Sequence, residues 1–396
     1  MKKYLLLAFF ITVFSAWPAK AQSVDSMDVY LLTCEPGTES YTVYGHTALR
    51  TTVRGTKTDV VYNWGIFDFD TPNFLYSFAR GKLDYLLGVY SYQSFLQEYR
   101  LEGRPVWSQK INLSAEEKRR LLVLLKDNLK PENIKYKYDF LFDNCATRVR
   151  DVLEKSLSEP VQYPEKTSDA SFRILLDEFQ HKLPWVDFGV DFLLGLKADR
   201  IATFREQMFL PMYLKENMSG AIVNHSGKNE LLLGTAEQVM GIRGVKRDAA
   251  RAWMPAVIVW FVLILVILVV FVSGLPVLGK ISDWLFFTLF SLITVILFFC
   301  NFFSYHQALH HNMLLIAFNP LLPVIAFLIF SGRKCRKLCR LAVALAVLYF
   351  PIALIAGQGI HSVTVPLILI LIIYLFKHSE FGKEDNRLQN KNIDSV

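Results

Sequence analysis

A single cysteine, Cys145, stands at a predicted helix start and has the chemistry of a nucleophile. The apolar run 140–142 precedes Asp143 and Asn144, either of which is a natural N-cap. Three apolar side chains follow at i+4, i+7 and i+8, on the helix face that carries the thiol: Val149, Val152 and Leu153. Unpaired N–H groups and the partial positive charge of a helix start favour a thiolate. The pattern predicts a reactive cysteine, and its competing interpretation is a small buried hydrophobic residue.

A histidine and an asparagine on neighbouring predicted strands are the candidates to activate this thiol. A thiolate nucleophile needs a general base within hydrogen-bond reach and a third group that orients the imidazole. The alternating pattern predicts three strands, at 28–33, 41–53 and 59–65. A turn near Gly55 joins the last two, so that His46 lies opposite a position within about two residues of Asn63. We therefore predict a catalytic trio of Cys145, His46 and Asn63.

The cysteines of this chain offer one structure that would remove the nucleophile. Two of the five cysteines precede the membrane segments and three lie among them: Cys34 and Cys145, then Cys300, Cys335 and Cys339. Two cysteines cannot build a disulfide framework, but a single bridge between Cys34 and Cys145 is compatible with an exported domain. Such a bridge would compete with catalysis by the Cys145 thiol.

The chain of 396 residues is 53% hydrophobic, and this apolar excess is local. Residues 1–21 have the pattern of a secretory signal peptide, with Lys2 and Lys3, an apolar run of about 14 residues and a small-x-small site ending at Ala21. That run is too short to span a bilayer. We therefore predict that residues 22–220 form an exported α+β domain, in which a capping box at Ser114 and Glu117 opens one helix.

The membrane part follows a predicted polar connector at 221–252. We predict an all-α bundle of five transmembrane helices within 253–377 and a cytoplasmic tail at 378–396. The five spans are Met254–Ser273, Ile281–Ser304, Met313–Phe330, Leu338–Ala356 and Ser362–Phe376. With the first domain exported, the basic residues Lys280 and 333–337 fall in inner loops, as expected for membrane proteins. The net charge is +7, but the basic residues are scattered or lie at the predicted membrane edges. We therefore predict no nucleic-acid partner.

The predicted outer loop 305–312 is rich in histidine. His306 and His310 stand at i and i+4, a spacing that suits a metal on a helix, but the loop contains no carboxylate or cysteine to complete a site. Ring-bearing side chains suit the boundary between water and lipid. We therefore predict no metal and interpret the loop as an interfacial, substrate-contacting segment.

Five sequence blocks, in order, resemble the Lnb-type bacterial lipoprotein N-acyltransferases, whose exported domain is similar to circularly permuted papain-like (NlpC-type) cysteine enzymes. The blocks are 44–50, with Gly45 before His46; 61–69, around Asn63; 113–117; 138–148, with Asn144 before Cys145; and 208–211. The membrane part also resembles this family. The resemblance implies Cys145 as the nucleophile and His46 as the base. For the third member we favour Asn63, with Asp68 and Glu39 as alternatives.

The resemblance implies a multi-pass enzyme of the bacterial inner membrane, with its catalytic domain on the periplasmic side. It would move an acyl chain from a glycerolipid ester, through a Cys145 thioester, to the N-terminal amine of diacylglyceryl lipoproteins. The donor would be a phospholipid or the lipoprotein's own ester, and no cofactor is implied. We predict substrate contacts by five residues: Tyr44, Asn144, Arg148, His306 and Asn312.

Two other functions fit the same residues. A membrane-tethered cysteine amidase or peptidase acting on cell-wall peptides would use the same thiolate with water as the acceptor. A non-catalytic membrane scaffold would use the exported domain only to bind a partner. One span is enough to tether a hydrolase, so five spans favour a protein that holds a lipid substrate.

Overall fold

The N-terminal part of the chain is built on a seven-stranded antiparallel sheet. From one edge to the other its strands are Lys135–Lys137, Asp84–Ser91, Asp59–Ile66, His46–Val53, Met27–Cys34, Val106–Lys110 and Glu237–Met240. The computed structural model describes residues 24–164, 169–241, 253–272 and 274–380. The strands are β1 Met27–Cys34, β2 His46–Val53, β3 Asp59–Ile66, β4 Asp84–Ser91, β5 Val106–Lys110, β6 Lys135–Lys137, β7 Ile222–His225, β8 Lys228–Leu231 and β9 Glu237–Met240. β7 and β8 form a separate hairpin. The predicted signal peptide and the tail beyond residue 380 lie outside the described residues.

Helices cover both faces of this sheet. Those of the N-terminal part are α1 Phe74–Ala79, α2 Tyr92–Leu101, α3 Ala115–Asn128, α4 Cys145–Ser156, α5 Phe172–Gln180, α6 Pro184–Leu193, α7 Leu196–Asp199 and α8 Pro211–Ser219. Adjacent residues of β1 point to opposite faces: Leu31 packs in one core with residues of α3, α4 and α8, and Leu32 in another with residues of α2. The predicted mixture of helices and strands is confirmed, and the capping box at Ser114 and Glu117 is present.

The predicted hairpin is confirmed, but its first strand is shorter than we predicted. β2 pairs antiparallel with β3, and Leu49 faces Tyr62. β2 begins at His46 rather than at residue 41, because residues 37–45 form successive turns. Gly45 has a φ of 84°, a conformation that favours glycine and interrupts a strand. His46 is therefore the first residue of β2, at the end of the strand where the chain enters the sheet.

The segment predicted as a connector adds structure to the sheet. β7 and β8 lie within 221–231, and β9 pairs antiparallel with β5 at the edge of the sheet. The sheet therefore continues beyond residue 220, the predicted end of the exported domain. The hydrogen bond from the Gly234 N–H to the Lys110 carbonyl belongs to the same edge.

The C-terminal part is helical and apolar. Its helices are α9 Met254–Ile267, continued by a π-helical segment to Val272, α10 Pro276–Phe303, α11 Leu314–Ala317, α12 Leu321–Phe330, α13 Arg336–Ala356 and α14 Thr364–Glu380. Among the described residues, three helices are long and apolar enough to cross a membrane: Met254–Val272, α10 and α13. The segments 314–330 and 364–379 are shorter apolar helices. Five spans therefore remain a prediction.

The two parts of the chain share a buried core. Leu141 and Phe209 of the N-terminal part pack in one cluster with Cys300, Ala308 and Leu309, which lie at the end of α10 and in the loop after it. The Gly195 N–H donates to the Ala308 carbonyl at 2.8 Å. The loop between α10 and α11 is thereby held against the N-terminal domain.

A buried arginine fixes a second contact between the two parts. Arg173 of α5 bonds the carboxylate of Asp199 at 2.7 Å and that of Asp191 at 3.1 Å, and all three side chains are buried. Asp199 also accepts the Gly359 N–H at 2.9 Å, from the loop between α13 and α14. Burial opposes the charge on Arg173, but the two carboxylates outweigh it and raise its pKa. The ion pair with Arg173 therefore fixes Asp199, whose hydrogen bond from Gly359 ties a membrane loop to the N-terminal domain.

We expect Arg173→Met to lower the unfolding temperature of the full-length protein in detergent. The substitution leaves buried carboxylates without a partner, a loss of about 3–5 kcal/mol for a buried pair. Arg119→Met is the matched control, because Arg119 pairs with Glu116 on the exposed surface of α3, where the loss is at most about 1 kcal/mol. Equal unfolding temperatures for the two variants would contradict the structural role of Arg173.

Candidate active site

Cys145 is the first residue of α4, as the sequence predicts, and Asn144 is the N-cap. The Asn144 Oδ1 accepts the N–H groups of Ala146 at 2.9 Å and Thr147 at 3.0 Å, and its Nδ2 donates to the carbonyls of Phe140 at 2.8 Å and Phe209 at 3.0 Å. Asn144 is buried, and its amide is used fully within the fold. The structure therefore gives Asn144 a positioning role beneath the thiol.

The loop before the helix is fixed by its own carboxylates. Asp139 accepts the N–H groups of Leu141 and Phe142, and the backbones of Asp139 and Asp143 bond each other in both directions. Arg148 pairs through two nitrogens with the carboxylate of Asp143, and its guanidinium lies 4.0 Å from the Tyr136 ring centroid. A bidentate pair fixes geometry as well as charge. Arg148 therefore holds the loop that presents Cys145.

The imidazole of His46 lies between Cys145 and Asn63. The His46 Nε2 is 2.5 Å from the Asn63 Oδ1, and the Asn63 Nδ2 donates to the Tyr90 hydroxyl on β4. Because Asn63 occupies Nε2, Nδ1 is the ring nitrogen left for the thiol, with which His46 shares a hydrogen bond. The predicted trio of Cys145, His46 and Asn63 is thus brought together.

Neither alternative for the third role has a comparable contact. Asp68 is exposed, and its Oδ1 accepts the N–H of Asp70. Glu39 is exposed in the turn before Tyr44, where its carbonyl accepts the N–H of Thr42. The geometry therefore favours Asn63 as the group that orients the imidazole.

The charges at this site favour a thiolate beside an imidazolium. Burial opposes ionisation of Cys145, but the charge and hydrogen bond of His46, together with the N–H groups of Thr47 and Ala146, outweigh it and lower the pKa of the thiol. Burial likewise opposes protonation of His46, but the thiolate and Asn63 raise its pKa. The two opposite shifts both favour an ion pair, the form in which a cysteine is a strong nucleophile.

Gly65 leaves space beside this ion pair. A Cβ at this position would lie 3.7 Å from the Cβ of Cys145 and 3.7 Å from the Cε1 of His46. Gly65 has a φ of 102° and sits at an irregularity in the pairing of β3 with β4, between Trp64 and Ile66. The strand therefore passes close to both reacting groups without a side chain between them.

The competing disulfide does not form. All five cysteines are free, and Cys34 is buried opposite His46 in the pairing of β1 with β2. Burial raises the pKa of the Cys34 thiol, the opposite of the shift at Cys145. The two exported cysteines therefore have different chemistry, and Cys145 alone of the pair has a partner base.

The other predicted substrate-binding residues are engaged in different ways. The Tyr44 hydroxyl donates to Gln180 at 2.8 Å. His306 is buried, its Nε2 bonds the Phe78 carbonyl at 2.9 Å, and its ring lies 6.1 Å from that of Phe140 in the loop before Cys145. Asn312 is buried and bonds Phe192, Leu314 and Gln358, so its amide holds the membrane loops rather than reaching the thiol.

His306 and His310 do not converge on a metal position. Each directs its Nε2 to a backbone carbonyl, that of Phe78 and that of Ser304 respectively. In the part of the chain that the structure describes, no three or more histidine, cysteine or carboxylate side chains are grouped to hold a metal. Within these residues the loop acts as a structural contact between the two parts of the chain.

Three residues at the site are absent from our sequence predictions: Thr47, Gly65 and Tyr90. A glycine within a strand indicates a bulge or a close approach of the backbone to another group. The sequence could therefore have indicated the role of Gly65. The Thr47 N–H bonds the thiol only because His46 begins its strand beside α4. Tyr90 reaches Asn63 through the register of β3 with β4, which the sequence does not specify. Long-range pairing therefore sets these two contacts.

We expect the Cys145 thiol to be alkylated by iodoacetamide at lower pH than a free cysteine. Its pKa is lowered, so the thiolate persists as the pH falls below about 8.5, where an ordinary thiol is protonated. His46→Ala removes the main favourable charge, and we expect the onset of alkylation to move to higher pH. Mass spectrometry of the Cys145 peptide gives the rate, and the buried Cys34 in the same samples is the internal control. Identical pH profiles for the two proteins would refute the ion pair.

Comparison with known families agrees with this architecture. The family model described as the Lnb N-terminal periplasmic domain matches residues 13–177, and the model described as the Lnb transmembrane domain matches residues 247–384. No curated protein and no solved structure matches the chain. The two matches lie in the expected order and together cover more than half of the sequence, which confirms the resemblance. They indicate a membrane enzyme with a periplasmic domain that modifies lipoproteins, and the chain belongs to the Lnb family.

Proposed function

We propose that this protein is a lipoprotein N-acyltransferase of the bacterial inner membrane, with Cys145 as its nucleophile. The observation that carries the proposal is the position of the thiol and imidazole pair. The loop that presents Cys145 packs directly against the loop after α10, where the rings of Phe140 and His306 lie 6.1 Å apart. A thiolate held at the outer end of a transmembrane helix is suited to attack a lipid ester.

The first half-reaction forms a thioester. The Cys145 thiolate attacks the carbonyl carbon of a glycerolipid ester, with the proton of the thiol held on His46. The N–H of Cys145, the first residue of α4, has no acceptor within the helix and is available to stabilise the oxyanion. As the carbon–oxygen bond breaks, the leaving alkoxide takes the proton from the His46 imidazolium. The acyl chain is then bound to Cys145, and His46 is neutral.

The second half-reaction forms an amide. The α-amino group of a diacylglyceryl lipoprotein attacks the thioester, and neutral His46 accepts its proton. The Cys145 thiolate leaves and the ion pair is restored. The donor is a phospholipid or the lipoprotein's own glyceryl ester. Both give the same acyl-enzyme, so the identity of the released lyso-lipid distinguishes them.

The architecture that we propose for this reaction follows the family. Residues 1–21 form a removable signal peptide, residues 22–220 with the strands up to residue 240 form a permuted papain-like domain, and five helices within 253–377 hold the lipid substrates. Two features support the permuted papain-like fold. His46 precedes Cys145 in the chain, and His46 begins a strand while Cys145 begins a helix.

We expect Cys145→Ser and His46→Ala each to lower the rate of acyl transfer by about 10³-fold or more while membrane insertion persists. The assay follows labelled acyl groups from phospholipid, or from the lipopeptide's own ester, to the amine of a diacylglyceryl lipopeptide. Cys34→Ala is the matched control, because it removes the other thiol of the same domain and we expect its activity to be retained. Cleavage of cell-wall peptides without acyl transfer would overturn the proposal in favour of a tethered hydrolase.

We expect Asn63→Ala to slow the reaction less than Cys145→Ser, because Asn63 positions the imidazole and forms no bond with substrate. The hydrogen bond that the His46 Nε2–H donates to the Asn63 Oδ1 helps to raise the His46 pKa, so its loss lowers that pKa. The imidazolium is then lost at lower pH, and the alkaline limb of the pH–rate profile should move toward neutral pH. If the Asn63→Ala variant is fully active and its pH–rate profile is unchanged, a residue other than Asn63 orients the His46 imidazole.

A further inference from the structure

The short helix α1 and the segment before it expose a group of large apolar side chains. We name this group the α1 patch and define it as Phe69, Leu75, Tyr76 and Phe78. Leu75 is 78% exposed and Phe69 is 60% exposed. The Phe69 ring contacts two partly buried rings, because its centroid lies 5.1 Å from that of Phe74 and 4.8 Å from that of Phe67. Exposed apolar groups of this size usually mark a contact surface.

The outer end of α10 holds this helix by its C-terminal carbonyls. The Ser304 Oγ donates to the Ala79 carbonyl at 2.7 Å, and the Tyr305 N–H donates to the Arg80 carbonyl at 2.9 Å. The His306 Nε2 bonds the Phe78 carbonyl at 2.9 Å. The last carbonyls of a helix lack partners within the helix, and here the membrane part supplies them. The position of α1 is therefore fixed relative to α10.

The α1 patch continues the exposed apolar surface of α10. The Tyr76 ring lies 6.0 Å from that of Phe299, and Phe302, Phe303 and Tyr305 are exposed beside it in sequence. At about 1.5 Å per residue, the 28 residues of α10 extend about 42 Å, more than the roughly 30 Å of a bilayer hydrocarbon core. The helix is therefore long enough for its end at Phe303, beside the α1 patch, to lie at the headgroup level.

Cations border the α1 patch beside Tyr305, just after the C-terminal end of α1. The Arg80 guanidinium lies 5.7 Å, and the Lys82 ammonium 5.2 Å, from the centroid of the Tyr305 ring. Apolar and aromatic side chains next to basic ones are the composition of segments that lie in a membrane interface. This arrangement suits phospholipid, whose phosphates lie directly above its acyl chains.

We propose that the α1 patch inserts into the outer leaflet and contacts phospholipid acyl chains. Insertion would set the depth of the segment that joins the patch to the site. Gly65, beside Cys145 and His46, lies at the end of β3, and Phe67 follows that strand and leads to the patch. The proposal concerns a surface outside the reacting groups and does not require the acyl-transfer reaction.

Photocrosslinking tests this proposal on the full-length protein in vesicles of phosphatidylethanolamine and phosphatidylglycerol. Benzoylphenylalanine replaces Leu75 in one variant and Val123 in the matched control. Val123 is 66% exposed on α3, whose Arg120 binds the Ser156 carbonyl at the far end of the Cys145 helix. An interfacial helix is buried about 5–10 Å into the headgroup and acyl boundary, so we expect about tenfold more phospholipid adduct at position 75.

The same substitution at Tyr76 gives a second position on the α1 patch, and mass spectrometry identifies the adducts. We expect phospholipid adducts at both positions, including in a Cys145→Ser background, which separates lipid contact from catalysis. Equal lipid labelling at positions 75 and 123 would overturn the proposal. Crosslinks from position 75 only to protein, including a second copy of this chain, would also overturn it.

Discussion

The site depends on one interaction, the capping of a helix start by Asn144. This amide fixes the first turn of α4 and ties it to the backbone of Phe140 and Phe209, so that the Cys145 thiol meets the imidazole of His46. The thiol is partly buried, and removal from water alone would favour its neutral form. His46 and two backbone N–H groups outweigh that effect and lower the pKa of the thiol. A small displacement of the cap would separate the thiol from the imidazole and remove the interaction that lowers the thiol's pKa.

Local patterns were enough to predict much of this site. Helix periodicity and an N-cap residue placed Cys145 in the first turn, and alternation around a turn at Gly55 placed His46 diagonal to Asn63. Each of these features depends on neighbours in sequence, and each is confirmed by the geometry. The apolar segments of the membrane part were also evident, although three of the described helices have the length and composition of a span and two apolar segments are shorter.

Contacts between distant segments were not predictable in the same way. The hydrogen bond of Asn63 to Tyr90 depends on the register of β3 with β4, and that register shifts near Gly65. The residues after 220 are mostly polar and have no clear hydrophobic periodicity, so we predicted a connector there. They complete the sheet because β5 has an open edge that β9 can pair with. Asn144 and Asn312 were predicted as substrate-binding residues, but both amides are buried and hydrogen-bonded within the fold, that of Asn312 also to the Gln358 side chain.

The attachments between the two parts of the chain also bear on how a lipid can arrive. The loop after α10 is bonded to α1 and to Gly195, and the loop between α13 and α14 is bonded to Asp199, itself held by Arg173. These anchorages restrain the periplasmic domain from swinging away from the helices. Under the proposed function, a lipid acyl chain would therefore have to reach a thiol that stays beside the helices, without a domain opening to admit it.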